Sequence, residues 1–214
     1  MNLNPENLRA CGIDPGTDTL GYAIVELDPS TLKISLDYVE TFHAAKATRK
    51  LPDLSDLLGN RGVRLNWHTQ NLSKMFQHHK PHTVTVESPF LGRFATAFEA
   101  LIECRSAIRK AILEYSETVT MELIDPLSVK SAMGALKPLE PKKKGKRRKK
   151  RNTGKTKEEI KAALKKIKDV DWGEFSLDDL DEHSIDAIAV ALYRVYILRD
   201  LLQKEKTNLK LFRG

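Results

Sequence analysis

The chain has 214 residues, of which 41% are hydrophobic and 30% charged, with 11 Gly and 9 Pro. That length fits one large domain at about 100–200 residues per domain, and that balance excludes wholesale disorder, a collagen repeat and a disulfide scaffold. Lys and Arg number 36 against 29 Asp and Glu, a formal charge of +7. The excess sits in one place: residues 142–157, KKKGKRRKKRNTGKTK, hold 11 basic residues and no acid, and 36 less 11 leaves 25 against 29 in the remainder.

No apolar run approaches the ~18 residues that span a bilayer, so no membrane association is expected. The opening residues MNLNPEN lack a basic start followed by an apolar stretch, so no signal peptide is expected. Two cysteines, Cys11 and Cys104, fit buried thiols in a reducing cytoplasm rather than a disulfide framework.

Taken in chain order, residues 9–14 form a short apolar run ending at Pro-Gly. Residues 19–27 and 32–42 alternate and are β-branched or aromatic enough to be strands. Short turn-forming links suggest that these three make an antiparallel meander. Leu58, Leu65, Leu72, Met75, Phe76 and His79 recur at helical spacing, and that helix must end before Pro81. The β-branched run 82–87 reads as a buried strand, 95–115 as a helix, 119–124 as a strand, and 126–133 as a short helix with Pro in its first turn. Residues 157–167 form a basic amphipathic helix, and a long helix from about 181 to 204 closes the chain with Ile185, Ile188, Leu192, Val195, Tyr196 and Leu202 on its apolar stripe. A hairpin unit followed by alternating strands and helices implies one α/β domain over 1–214, a mixed sheet covered by helices. The basic stretch, at about 137–156, is an excursion from it.

So dense a run of like charge buries no apolar area. Its functional reading is contact with a phosphate backbone, which gains from counterion release. The ordinary reading is a solvated loop or a targeting signal.

Three carboxylates stand out by position. Asp14 ends the first strand, Glu87 ends the strand 82–87, and Asp186 lies in the first turns of the last helix among Ile185, Ala187 and Ile188. A carboxylate beside buried apolar residues is costly unless paired or bound to a cation, and clustered oxygen ligands select Mg²⁺ or Mn²⁺. His183 lies one turn before Asp186, on the same helix face, where an imidazole can ligate a metal or carry a proton. Taken singly, each has an ordinary role as well: turn former, ion-pair partner, or acid at a helix N-terminus.

Three motifs in order carry a resemblance. The segment GIDPGTDTLGY (12–22) resembles the opening strand motif of RuvC-type Holliday junction resolvases, VESPF (86–90) is similar to their second acidic motif, and HSIDAIAVA (183–191) resembles their C-terminal helix motif. The resemblance covers residues 9 to 195. It implies an RNase H-like fold, with a mixed five-stranded sheet in which three antiparallel strands are joined by two parallel ones, and helices on both faces. It implies a homodimeric endodeoxyribonuclease with two Mg²⁺ ions, or Mn²⁺, about 4 Å apart in the site. Its substrate would be four-way junctions, widened to forks and flaps by the added backbone contact of the basic excursion, and cut to leave 5′-phosphate ends in the cytoplasm.

By the same resemblance, Asp14, Glu87, His183 and Asp186 are the catalytic residues and metal ligands. Phe90 stacks on a base near the junction centre, an interaction worth roughly 1–3 kcal/mol. Lys130 and Lys157, with Lys155 as the neighbouring choice, contact the backbone at the cleft, and the helix 95–115 is the candidate dimer face. Lys142, Lys143, Lys144, Lys146, Arg147, Arg148, Lys149, Lys150 and Arg151 fall in an insertion far more basic than the short loop of the family. That expansion resembles some bacteriophage versions, and it adds backbone affinity without reading structure. Two other readings stand beside this one: a non-catalytic protein that binds branched DNA on the same fold, and a phosphotransferase, because GIDPGT also resembles a phosphate loop of actin-like kinases.

Overall fold

The computed structural model describes residues 6–50, 52–89, 95–135 and 155–211. Its centre is strand β1 (Leu8–Asp14), whose Ala10, Cys11 and Ile13 are all fully buried. A strand covered on both faces reads as an apolar run rather than an alternation, which is how residues 9–14 read in the sequence. Strand β2 (Leu20–Leu27) pairs antiparallel with β1, and β3 (Ile34–Phe42) pairs antiparallel with β2. On the other side of β1, strand β4 (Thr83–Glu87) runs parallel to it, and β5 (Thr120–Ile124) runs parallel to β4.

The five expected strands are therefore present in the expected senses. A sixth, β6 (Val170–Asp171), pairs parallel with β3 through Ile34 and Val170 and completes the order β5-β4-β1-β2-β3-β6. The expectation of five strands is corrected by this one addition. Two residues are too few to carry a period-2 pattern, so β6 leaves no mark in the sequence.

Helix α1 (Ala44–Ala47) and a single 3-10 turn (Thr48–Lys50) follow β3; neither was anticipated. Helix α2 (Pro52–His79) starts six residues before the apolar spacing does, and it is broken at Gly59, whose φ of 70° lies in the left-handed region that glycine enters most easily. Helix α3 (Ala95–Tyr115) has the expected bounds. Helix α4 (Pro126–Ala132) is capped by the Asp125 carboxylate, which accepts from the backbone N–H groups of Leu127 and Ser128. Helix α5 (Lys155–Leu164) ends three residues before the expected 167. Helix α6 (Glu182–Leu211) runs past the expected 204.

Each face of the sheet has its own core. On one side α2 and α3 bring Leu72, Phe76, Cys104 and Ile108 against Cys11, Ile13, Tyr22 and Val84. On the other, α4, α5 and α6 bring Val129, Leu164, Ile188 and Leu192 against Ala10, Ala23 and Val25. Fully burying one such aliphatic side chain is worth about 1.5–3 kcal/mol. Both cysteines are buried free thiols. Among the described residues, no helix is long and apolar enough to cross a membrane.

Two glycines set the position of α6. A Cβ at Gly12 would lie 2.2 Å from the Ala187 carbonyl oxygen and 2.3 Å from the Ala191 nitrogen. A Cβ at Gly21 would lie 2.1 Å from the His183 carbonyl oxygen. The helix backbone thus rests directly on β1 and β2, and this contact fixes where the side chains of its first turns emerge. The Asp181 carboxylate pins the same end, accepting from the Ser184 N–H and the Thr41 hydroxyl.

Candidate active site

The parallel register pairs Ile13 with Val86. The next residue of each strand is an acid, so Asp14 and Glu87 stand side by side at the C-terminal ends of the adjacent strands β1 and β4. Helix α6, held against Gly12 and Gly21, adds His183 and Asp186 at that end. The His183 Nδ1 lies 2.7 Å from Asp14 Oδ2, and neither side chain is more than a third exposed. The Asp14 bond holds the His183 imidazole above its ordinary pKa; burial opposes the rise, and the Asp14, Glu182 and Asp181 charges add to it.

Glu87 records the crowding. Its carboxyl is pushed up to about 8, first by burial and then by the charges of Asp14 and Asp186, while Lys130 on α4 works in the opposite direction. Three far-apart acids and one imidazole are thus brought together, and Lys130, half-buried, is close enough to bias Glu87. Among the described residues, no three His, Cys, Asp or Glu side chains are already drawn around one point as metal ligands; His183 occupies one Asp14 oxygen instead. The donor set nevertheless suits a hard divalent cation: three carboxylates, an imidazole, and a mutual repulsion that such a charge would offset.

Phe90 lies outside the described residues, as do Lys142, Lys143, Lys144, Lys146, Arg147, Arg148, Lys149, Lys150 and Arg151. Lys155 and Lys157 belong to the first turn of α5, and their side chains lie outside what is described.

The loop 15–19 between β1 and β2 carries contacts that the sequence did not disclose. His68 Nε2 lies 3.2 Å from the Thr17 carbonyl oxygen, and burial holds this imidazole down to about 4, so the neutral ring donates there. Arg64 pairs with Asp18. The Cys104 thiol donates to the Gly16 carbonyl at 3.6 Å. Thr19 Oγ1 lies 2.9 Å from His183 Nε2. A threonine in a turn followed by a strand has no sequence signal that ties it to a helix 164 residues away; only the fold reveals the pair.

No protein-family model matches the sequence. The chain is 27% identical over 127 residues to the crossover junction endodeoxyribonuclease RuvC of Thermomicrobium roseum, covering 59% of this chain and 68% of that protein. Among solved structures, it is similar to Thermus thermophilus RuvC in complex with a Holliday junction substrate, with a TM-score of 0.59 and 18% identity over 90% of this chain and 96% of that one. It is similar to the yeast mitochondrial Holliday junction resolvase Ydc2, with a TM-score of 0.55 and 12% identity over 99% of this chain and 89% of that one. It is also similar to the fowlpox virus resolvase bound to a Holliday junction, with a TM-score of 0.51 and 14% identity over 89% of this chain and 99% of that one. At these identities the structural likenesses are likenesses of fold, an RNase H-like α/β arrangement.

Proposed function

From the premise that this chain resembles RuvC-type resolvases in sequence and fold, we propose that it is a structure-selective DNA endonuclease that resolves Holliday junctions and cuts other branched DNA. The single observation that carries the reading is the Ile13–Val86 register, which sets Asp14 beside Glu87 where α6 delivers Asp186 and His183. Asp14, Glu87, Asp186 and His183 would hold two divalent cations, Mg²⁺ or Mn²⁺. When bound, such cations lower the pKa of a water and neutralise the charge that develops on a phosphodiester.

The protein's own residues do the rest. The carboxylates gather, part-buried, at the C-terminal ends of β1 and β4, where a phosphate backbone would meet them. Lys130 offers a positive charge beside Glu87, suited to a non-bridging phosphate oxygen. Phe90, three residues beyond Glu87, is the stacking residue for an unpaired base. Lys157, with Lys155 as the neighbouring choice, meets the backbone at the cleft, and the basic residues from Lys142 to Arg151 add further backbone contacts. Cleavage leaves 5′-phosphate ends. Two copies act on one junction, with α3 as the dimer face; its Leu113 is exposed, and a paired enzyme can nick opposing strands. A reducing cytoplasm suits the two free thiols.

The test is incubation of the purified chain with a labelled immobile four-way junction beside linear duplex, fork and flap DNA, with Mg²⁺ or Mn²⁺. Nicks in branched substrates with the linear duplex left whole support the reading. Binding without nicks under either metal would make the chain a non-catalytic binder of branched DNA.

A further inference from the structure

We propose that Thr19 is a positioning residue for His183, its hydroxyl fixing the ring so that Nδ1 faces Asp14 and the cation site. The inference rests on the metal-dependent nuclease reading above. The geometry has three parts. Thr19 Oγ1 lies 2.9 Å from Nε2, while Nδ1 lies 2.7 Å from Asp14 Oδ2, so both ring nitrogens are held from opposite sides. The competing partner for Nε2, the Glu182 carboxylate, is farther away at 3.8 Å and more exposed.

Both members of the pair are also fixed at the backbone. The loop leading to Thr19 is bound to α2 through His68 and Arg64, to α3 through Cys104, and to α1, where the Ala45 N–H donates to the Asp18 carbonyl at 3.2 Å. His183 is seated by its carbonyl on Gly21. A side-chain bond between two immobilised segments sets an angle rather than following one.

The residue type matters because a hydroxyl both donates and accepts. With the proton on Nδ1, facing Asp14, Nε2 accepts from the Thr19 O–H. Were Nδ1 to hold a cation, Nε2 would carry the proton and donate to Thr19 Oγ1. One hydroxyl therefore holds the ring plane in both arrangements. Partners of this kind, behind a metal-bound imidazole, typically cost 10–100-fold in metal affinity when removed.

The experiment compares the full-length wild type with Thr19→Val, Thr19→Ala and Thr19→Ser. Mn²⁺ uptake is measured by calorimetry, and the His183 ring by ¹⁵N–¹H correlation in metal-free protein. Thr19→Val and Thr19→Ala are expected to lose affinity by roughly 10–100-fold and to alter the His183 ring signals, whereas Thr19→Ser restores both. Wild-type uptake of Mn²⁺ with equal uptake by Thr19→Val and unchanged ring signals would overturn the positioning role alone. Absence of Mn²⁺ uptake by the wild type would overturn the nuclease reading and this role with it.

Discussion

Gly12 and Ala187 meet backbone to backbone: a side chain on Gly12 would sit 2.2 Å from the Ala187 carbonyl oxygen. The acid of β1 and the acid of α6 belong to one site because nothing but hydrogen stands between their elements. The missing methyl group at Gly12 is thus a condition for the chemistry two residues later.

Gly12→Ala must therefore push α6 off the sheet. Overpacking of this kind costs about 1–3 kcal/mol, and for a chain of this length 1 kcal/mol lowers Tm by roughly 2–4 °C. Cleavage should fall further than stability does, because Asp186 and His183 move away from Asp14. A thermal melt and a junction-cleavage assay on the same sample check this; an unchanged melt and full activity would mean the helix does not rest on Gly12.

The raised Glu87 carboxyl gives a sign to the pH dependence of the metal-free protein. In the unfolded chain it titrates near 4.5 and in the fold near 8, so between those values the folded state holds the extra proton. Stability contributed by the protonated group is full below about 4.5 and is lost as pH rises toward 8. Glu87→Gln should flatten that descent and raise Tm at pH 8 by several degrees, at roughly 2–4 °C per kcal/mol. Melting curves across this range and beyond it, in a chelator, read it out; a parallel descent in wild type and variant would place the repulsion elsewhere.

His68 works in the opposite sense. Its folded imidazole titrates near 4, against 6.5 when free, so the unfolded chain takes up the proton first on acidification. Stability present above about 6.5 is lost as pH falls toward 4. His68→Gln keeps a donor within reach of the Thr17 carbonyl while removing the titration, and should lessen the acid sensitivity over that window. Urea midpoints measured at neutral pH and near the lower end of the window give the difference.

Deleting Lys142–Arg151 removes nine basic residues. If the segment tracks the backbone, affinity for a junction falls, and the slope of log K against log salt becomes shallower by about 0.9 for each phosphate the segment neutralises. Filter binding or anisotropy across a salt series gives the slope. An unchanged slope would mean that the segment stays clear of DNA.

Much of the fold was legible because its elements are long and periodic. The apolar run at Ala10–Ile13 announced the first strand, and Ile185, Ile188 and Leu192 announced a helix laid on a core. What was not legible had one of two causes. Val170–Asp171 is too short to show a period, and Gly59 breaks α2 next to Leu58, the first residue of the apolar spacing, so the turns before it were not anticipated. The second cause is distance along the chain. The acids could be named from their places at two strand ends and in the first turns of the last helix, but their convergence depends on the Ile13–Val86 register and on Gly12 and Gly21, which no local pattern encodes. The Thr19–His183 bond belongs with these.

The most direct measurement is a paired assay of Asp14→Asn on a labelled four-way junction with Mg²⁺, reading binding and strand nicking from the same protein. Loss of nicking with junction affinity retained is the expected result. Nicking at the wild-type rate by Asp14→Asn would contradict the account, because the carboxylate that joins β1 to His183 would then have no part in the chemistry.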